Sequence, residues 1–209
     1  MVRITGMTVS WTRHRFQGGV LALDAANTVV LRGDAARTFD RFEDPLEIAR
    51  FAEAASLFRA DELGGRRLAV ADPLASAPLV LSIRETTDRL FRNAVHAGGG
   101  LAAADMTPFL RACADGLACA DTLVGAPGRP FGDADTPVAV EAALATSALS
   151  LLAHDRRTRL KVCRNCNWLF LDRSRNGSRL WCDMAVCGNR RKASRHYRRR
   201  KAAPEVHDA

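Results

Sequence analysis

The stretch VCRNCNWLFLDRSRNGSRLWCDMAVCGNRRK, residues 162–192, puts four cysteines within 25 residues. Cys163 and Cys166 are separated by two residues, Cys182 and Cys187 by four, and fifteen residues lie between the pairs. A C-x2-C pair on a tight turn aims two thiolates at one point. A second pair at this distance completes the tetrahedron that zinc prefers. The intervening residues fit that reading. Trp168 and Phe170 alternate with Leu169 and Leu171, as in a short strand. Asn176-Gly177 is a two-residue hairpin turn signal, Arg179–Cys182 reads as the returning strand, and a helix is expected from about Asp183. Knuckle, hairpin and helix, with the last ligand near the first helical turn, is the treble-clef arrangement. So small a segment cannot fold on apolar burial alone, so one zinc ion would supply much of its folding free energy. Four thiolates leave no open coordination position, which makes that zinc structural and not hydrolytic.

Working outward, the setting argues against other uses of the thiols. The N-terminal MVRITGMTVSWTRHRFQGG has no apolar core of the kind a secretory signal carries, and the longest apolar run, from Pro137, is short and interrupted by Glu141. The expected location is the cytoplasm, where clustered cysteines point to metal or catalysis more than to disulfides. A redox C-x2-C opens a helix in a βαβ setting, which is absent around Cys163. Cys113 and Cys119, six apart on an expected helix, are read as packing residues.

Charge divides the chain in two. Residues 156–201 hold 16 Lys and Arg against two acids, Asp172 and Asp183, while the rest holds 15 basic against 21 acidic residues. A mildly acidic body is followed by a strongly basic segment that calls for a polyanion. On a helix beyond Cys187, Arg191, Arg195 and Arg198 form one stripe, and Lys192 and Arg199 the next. Arg190 extends the charge further round, leaving no apolar face for a membrane or a partner helix. Arginine outnumbers lysine, which suits bidentate contact with phosphates and base edges. A nucleic acid is therefore the expected partner. Trp168, Phe170 and Trp181 are read as a miniature core between hairpin and helix.

The body reads as mostly helical, with a small sheet. FEDPLEIARFAEAASLF has Asp44 at an N-cap, Pro45 at the first helical position and Glu47 placed for a capping box. Further helices are expected from Pro78 to the glycines at Gly98, from Thr107-Pro108 to near Gly125, and from Thr136-Pro137 to about Arg157. TVSWTRHRF near Trp11 and RRLAV near Leu68 are candidate strands. GGVLALDAANTVV leans to helix because of its alanines. The five histidines are scattered, and no nucleophile motif or phosphate loop is visible, so no catalytic residue is assigned and no enzyme activity is expected. The expected class is α+β: a predominantly helical domain with a small sheet over residues 1–157, a finger over 158–202 and a disordered tail over 203–209.

CGNR at Cys187–Arg190, with Trp181-Cys182 and WLFLDRSRNGSR before it, closely resembles the CGNR zinc finger of bacterial proteins. LALDAANT from Leu21 is similar to the Leu-Asp-x-x-Asn-Thr signature of the ABATE domain, which precedes that finger and is described as part of a stress-induced transcription regulator. Asp24, Asn27 and Thr28 match it, with Ala25 and Ala26 smaller than the pattern's residues. The resemblance implies zinc ligands at Cys163, Cys166, Cys182 and Cys187, and DNA contact from the arginine-rich helix. It gives Gly188 and Asn189 the role of shaping the turn into that helix, with unusual backbone geometry. Asp24 and Asn27 are candidates to line a ligand pocket. The reading is thus a zinc-dependent DNA-binding regulator whose body senses an unidentified small-molecule effector or forms a homodimer. The rival is a ligand-binding or enzymatic body that uses the finger for RNA or protein contact.

Overall fold

The structure, a computed structural model, describes residues 8–120, 136–191 and 193. A 3-10 turn at Arg13–Arg15 precedes α1 (Leu21–Ala26), β1 (Val29–Val30) and β2 (Phe39–Asp40). Next come α2 (Leu46–Phe58), α3 (Ala60–Leu63), β3 (Leu68–Ala69), α4 (Pro73–His96) and α5 (Ala103–Leu117). The chain continues with β4 (Val138–Ala139), α6 (Val140–Ser150), α7 (His154–Arg157), β5 (Leu160–Val162) and β6 (Leu169–Leu171). The strands form three two-stranded sheets: β1 with β2 antiparallel, β3 with β4 parallel, and β5 with β6 antiparallel. The α+β class is as expected, with helices dominating the body and a cysteine cluster at its C-terminal side.

The core lies where α4, α5 and α6 pack on one another and on α1. Alanine-rich α6 is buried on nearly every side, which allows close approach of its neighbours. Gly116 of α5 sits at one such approach. A Cβ there would meet Ile83 Cδ1 at 2.7 Å, the Glu141 carbonyl oxygen at 2.9 Å and Ala145 Cβ at 3.0 Å. A second, aromatic part of the core holds α2 against the N-terminal segment. Trp11 meets Phe51 edge-on at 5.2 Å, and Phe16 stacks on Phe51 at 5.5 Å.

Several boundaries differ from the sequence reading, each for a local reason. Asp44 does cap α2, its Oδ1 accepting the Leu46 N–H at 2.9 Å. Glu47 closes no capping box, because its buried carboxylate is taken by Trp11 Nε1 at 2.7 Å and by the N–H of Val9 at 3.2 Å. The Trp11 segment, a candidate strand, pairs with no other strand among the described residues. Helix α4 starts before Pro78, at Pro73, because Asp72 accepts the Leu74 N–H at 2.9 Å and supplies the cap. Helix α5 likewise starts ahead of Pro108 and ends at Leu117; residues 121–135, which include Gly125, lie outside the described set. Val138–Ala139 join the Leu68 strand before α6 begins, so tertiary pairing takes two residues from the expected helix. Helix and strand share the ambiguous GGVLALDAANTVV as α1 and β1. Cys113 is buried as expected, whereas Cys119 is exposed beyond the end of α5. Among the described residues, no helix is long and apolar enough to cross a membrane.

Candidate metal centre

Strands β5 and β6 form the hairpin that carries the first two cysteines. Leu160 pairs with Leu171, Lys161 with Phe170 and Val162 with Leu169. The partner of β6 is therefore the strand before the knuckle. Residues 179–182, the expected partner, form no strand. The turn between β5 and β6 is closed by the Cys163 N–H to the Trp168 carbonyl at 2.8 Å and by Asn167 in the left-handed region at φ 63°. Asparagine tolerates that conformation better than most residues.

Lys161 and Asp172 hold the returning loop. Asp172 accepts the Ser174 N–H at 2.9 Å, the Arg179 N–H at 2.8 Å and Lys161 Nζ at 2.9 Å. Lys161 Nζ also donates to the carbonyls of Gly177 and Arg179. These donors hold the Asp172 carboxyl well below its ordinary range, against the cost of burying it. The brace brings Trp181-Cys182 back over the knuckle. The side chain of Asp183 then accepts the Ala185 N–H at 2.7 Å and caps a single π-turn, Met184–Gly188, which runs on into helical residues 189–191. Asp172→Ala is expected to cost about 2 kcal/mol, since it leaves buried donors without their acceptor. It should also weaken zinc binding roughly tenfold or more, as loss of ligand-orienting contacts does. Urea unfolding and competition with a chromogenic chelator measure the two effects.

The four sulfurs lie within 4.8 Å of one another. Cys166 and Cys182 Sγ are 3.5 Å apart, and Cys182 and Cys187 Sγ are 3.7 Å apart. Ligands at a Zn–S distance of about 2.3 Å in a tetrahedron sit about 3.8 Å from one another, so the cluster has the size zinc needs. Cys163, Cys182 and Cys187 are buried and Cys166 is half-buried. Residues 159–200 match the CGNR zinc finger family. No curated protein sequence matches the chain. The matched finger holds one structural zinc ion on these four cysteines.

Around the ion the finger has its own small core, in which Trp168 and Phe170 pack with the cysteines and Trp181 covers the edge. Gly188 is not in a left-handed conformation, contrary to expectation. Its lack of a side chain matters because a Cβ there would lie 3.0 Å from Met184 Sδ and 3.4 Å from Trp181 Cδ1. Asn189 is helical, and its Nδ2 donates to the Ala185 carbonyl at 2.9 Å, holding the π-turn to the helix.

The finger is bound tightly to the body. Leu169 and Leu171, the other face of β6, are buried in the core of the body. Asn27 Nδ2 donates to the Leu169 carbonyl at 2.9 Å, and its Oδ1 accepts the Leu169 N–H at 3.0 Å, so the side chain mimics a neighbouring strand. Arg92 donates to the Asn167 carbonyl at 2.9 Å, and Asn167 Nδ2 donates to the Arg32 carbonyl at 2.6 Å. Arg41, buried, lies over the Trp168 ring at 5.6 Å. Burial, and then the nearby charge of Arg15, draws its pKa down to about 10. Of these body residues only Asn27 stood out in the sequence, and as a pocket candidate; Arg32, Arg41 and Arg92 did not, because no local spacing marks a contact made across 75 or more residues.

Asp24 and Asn27 are both buried among protein partners, and neither lines the cleft of about 350 Å³ beside the finger. Asp24 pairs with Arg59 at 2.5 Å and accepts the Gly18 N–H at 2.8 Å. Burial outweighs that pairing and pushes the carboxyl up to about 6. A folded-state pKa above the unfolded value of 3.8 favours folding most below that value, and the advantage is lost as the pH rises through 6. Asp24→Asn is therefore expected to gain on the parent protein between pH 4 and 7, by about 3 kcal/mol. Paired urea titrations across that range read the difference directly. Of the six residues expected to contact nucleic acid, Arg190 and Arg191 are described and exposed; Lys192, Arg195, Arg198 and Arg199 lie outside the described residues. Arg191 lies over the Trp181 ring at 5.9 Å.

Proposed function

We propose that this chain is a zinc-dependent DNA-binding protein that regulates transcription in the bacterial cytoplasm. The finger, over residues 158–202, carries the DNA contact, and an ABATE-like body, over residues 1–157, senses a signal or dimerises. The observation that carries the reading is the position of Arg190 and Arg191. Both are exposed within four residues of the last zinc ligand, in a segment that holds 16 Lys and Arg against two acids over residues 156–201. Zinc orients their helix through Cys187, so the charge is presented from a rigid base and not on a free tail. Guanidinium groups there suit phosphate oxygens and the acceptor edge of guanine. Regulation would then follow from the body, whose hydrogen bonds to β6 link its conformation to the base of the basic helix.

Fluorescence anisotropy on random duplex DNA across a salt series tests this. Log affinity is expected to fall against log salt with a slope of about −0.9 for each phosphate contacted. Arg190→Ala/Arg191→Ala should reduce that slope by roughly one to two. Zinc removal should abolish ordered binding. An unchanged slope in the variant, or preference for single-stranded RNA over duplex, would remove DNA as the partner.

A further inference from the structure

A cleft of about 220 Å³ opens where the body meets the finger. Four arginines surround it: Arg13 and Arg59 from the body, Arg173 and Arg179 from the finger loop, with Phe16 and Phe58 as apolar wall. Among the described residues no carboxylate lines it. Arg59 alone is ion-paired, with Asp24 lying behind it in the core. Arg13 rests over the Phe58 ring at 5.9 Å, Arg173 donates to the Gly19 carbonyl at 2.5 Å, and Arg179 donates to the Cys182 carbonyl. Among the described residues none of these three has an acidic partner. A guanidinium carries five N–H donors, so most of the donors here face no protein acceptor.

The cleft shares Phe58, Arg59 and Arg173 with an adjoining one of about 350 Å³. That second cleft has a different lining, which includes Asp61, Glu62, Arg156, Thr146 and Ser150, with Glu62 already accepting the Leu21 N–H and the Ser147 hydroxyl. Asp61 is exposed, and among the described residues it has no ion-pair partner. We infer that the paired clefts bind a small phosphorylated polyol, its phosphate on Arg13, Arg59, Arg173 and Arg179 and its hydroxyls toward Asp61 and Arg156. Convergent arginines match phosphate oxygens bidentately, and a free carboxylate accepts from sugar hydroxyls. Their combined size is that of an ordinary small-molecule site. Asp24 acts as a positioning residue, since it fixes Arg59. The site stands independently of the DNA-binding reading.

Calorimetry on the zinc-loaded full chain, with inorganic phosphate, ribose and ribose 5-phosphate as probes, tests this. Ribose 5-phosphate is expected to bind at least tenfold more tightly than inorganic phosphate, and ribose not measurably. Arg13→Ala/Arg173→Ala removes two exposed side chains and should weaken both phosphates at least tenfold. Arg190→Ala/Arg191→Ala should leave them unchanged. Should the first variant fold poorly, amide shifts of Gln17 and Gly19 on phosphate addition to the parent protein give the same readout. Absence of phosphate binding at low salt, equal effects of the two double variants, or shifts confined to residues 190–191 would overturn the site. Displacement of ribose 5-phosphate by a short duplex that itself loses affinity in Arg13→Ala/Arg173→Ala would overturn the free ligand and give the cleft to backbone phosphate.

Discussion

Chelation of zinc, or Cys187→Ser, is expected to collapse the whole chain's unfolding transition and not only that of the finger. A structural zinc contributes about 10–16 kcal/mol at neutral pH, comparable to or above the total stability of an ordinary domain, about 5–15 kcal/mol. Without the ion, three buried thiols and the small core of Trp168 and Phe170 have no other organising centre. The loss then reaches the body, because the opposite face of β6 puts Leu169 and Leu171 into its core. Calorimetric melting should show a fall of well over 15 °C, using roughly 2–4 °C per kcal/mol for a chain of this length. Limited proteolysis should cut within both 160–190 and the α1 region. A zinc-free protein whose body melts at the parent temperature would contradict this coupling. It would make the finger an independently folding attachment.

Asn27→Ala is expected to have the next largest effect, about 4 kcal/mol. The amide donates to and accepts from the backbone of Leu169, at 2.9 and 3.0 Å. Truncation leaves a buried N–H and a buried carbonyl without partners, each costing about 1–3 kcal/mol. Asn27 is itself buried, so water cannot easily take over. The melting temperature should drop by roughly 8–16 °C. Zinc should be lost to a competing chelator faster, since the knuckle, closed by the Cys163 N–H on the Trp168 carbonyl, runs directly into β6. Asn27→Asp separates the two bonds: it can still accept the Leu169 N–H but presents a charge to the carbonyl. It should be at least as destabilising at neutral pH and milder in acid, where the carboxyl protonates. A small effect of both variants would mean that leucine burial alone seats the finger.

The zinc centre was legible from spacing because its determinants are local. Two short cysteine intervals, an Asn-Gly turn and an Asp cap act within a few residues of one another, and Asp183 caps the π-turn where the sequence placed a helix start. Trp168 and Phe170 were legible as one face of a strand by their period. The class of the body and the approximate helices followed from apolar periodicity, with Asp44 a correctly placed cap.

The exceptions share one cause. Val138–Ala139 leave the expected helix because Leu68–Ala69 offer a strand edge. Glu47 leaves the capping box because Trp11 offers a donor. The strand opposite β6 is β5 and not residues 179–182, since Lys161 and Asp172 hold the later loop by side chains. Asp24 and Asn27 stood out in sequence through their match to the Leu-Asp-x-x-Asn-Thr signature, yet whether they face a ligand or a neighbour depends on segments 35 and 142 residues away. The sequence by itself determined the metal, its four ligands and the charge that follows them, because coordination geometry and charge density are properties of short segments. Only the tertiary structure decided that both faces of β6 are buried and that arginines from body and finger surround one cleft. Those outcomes come from burial and hydrogen-bond satisfaction between distant segments, which no local pattern encodes.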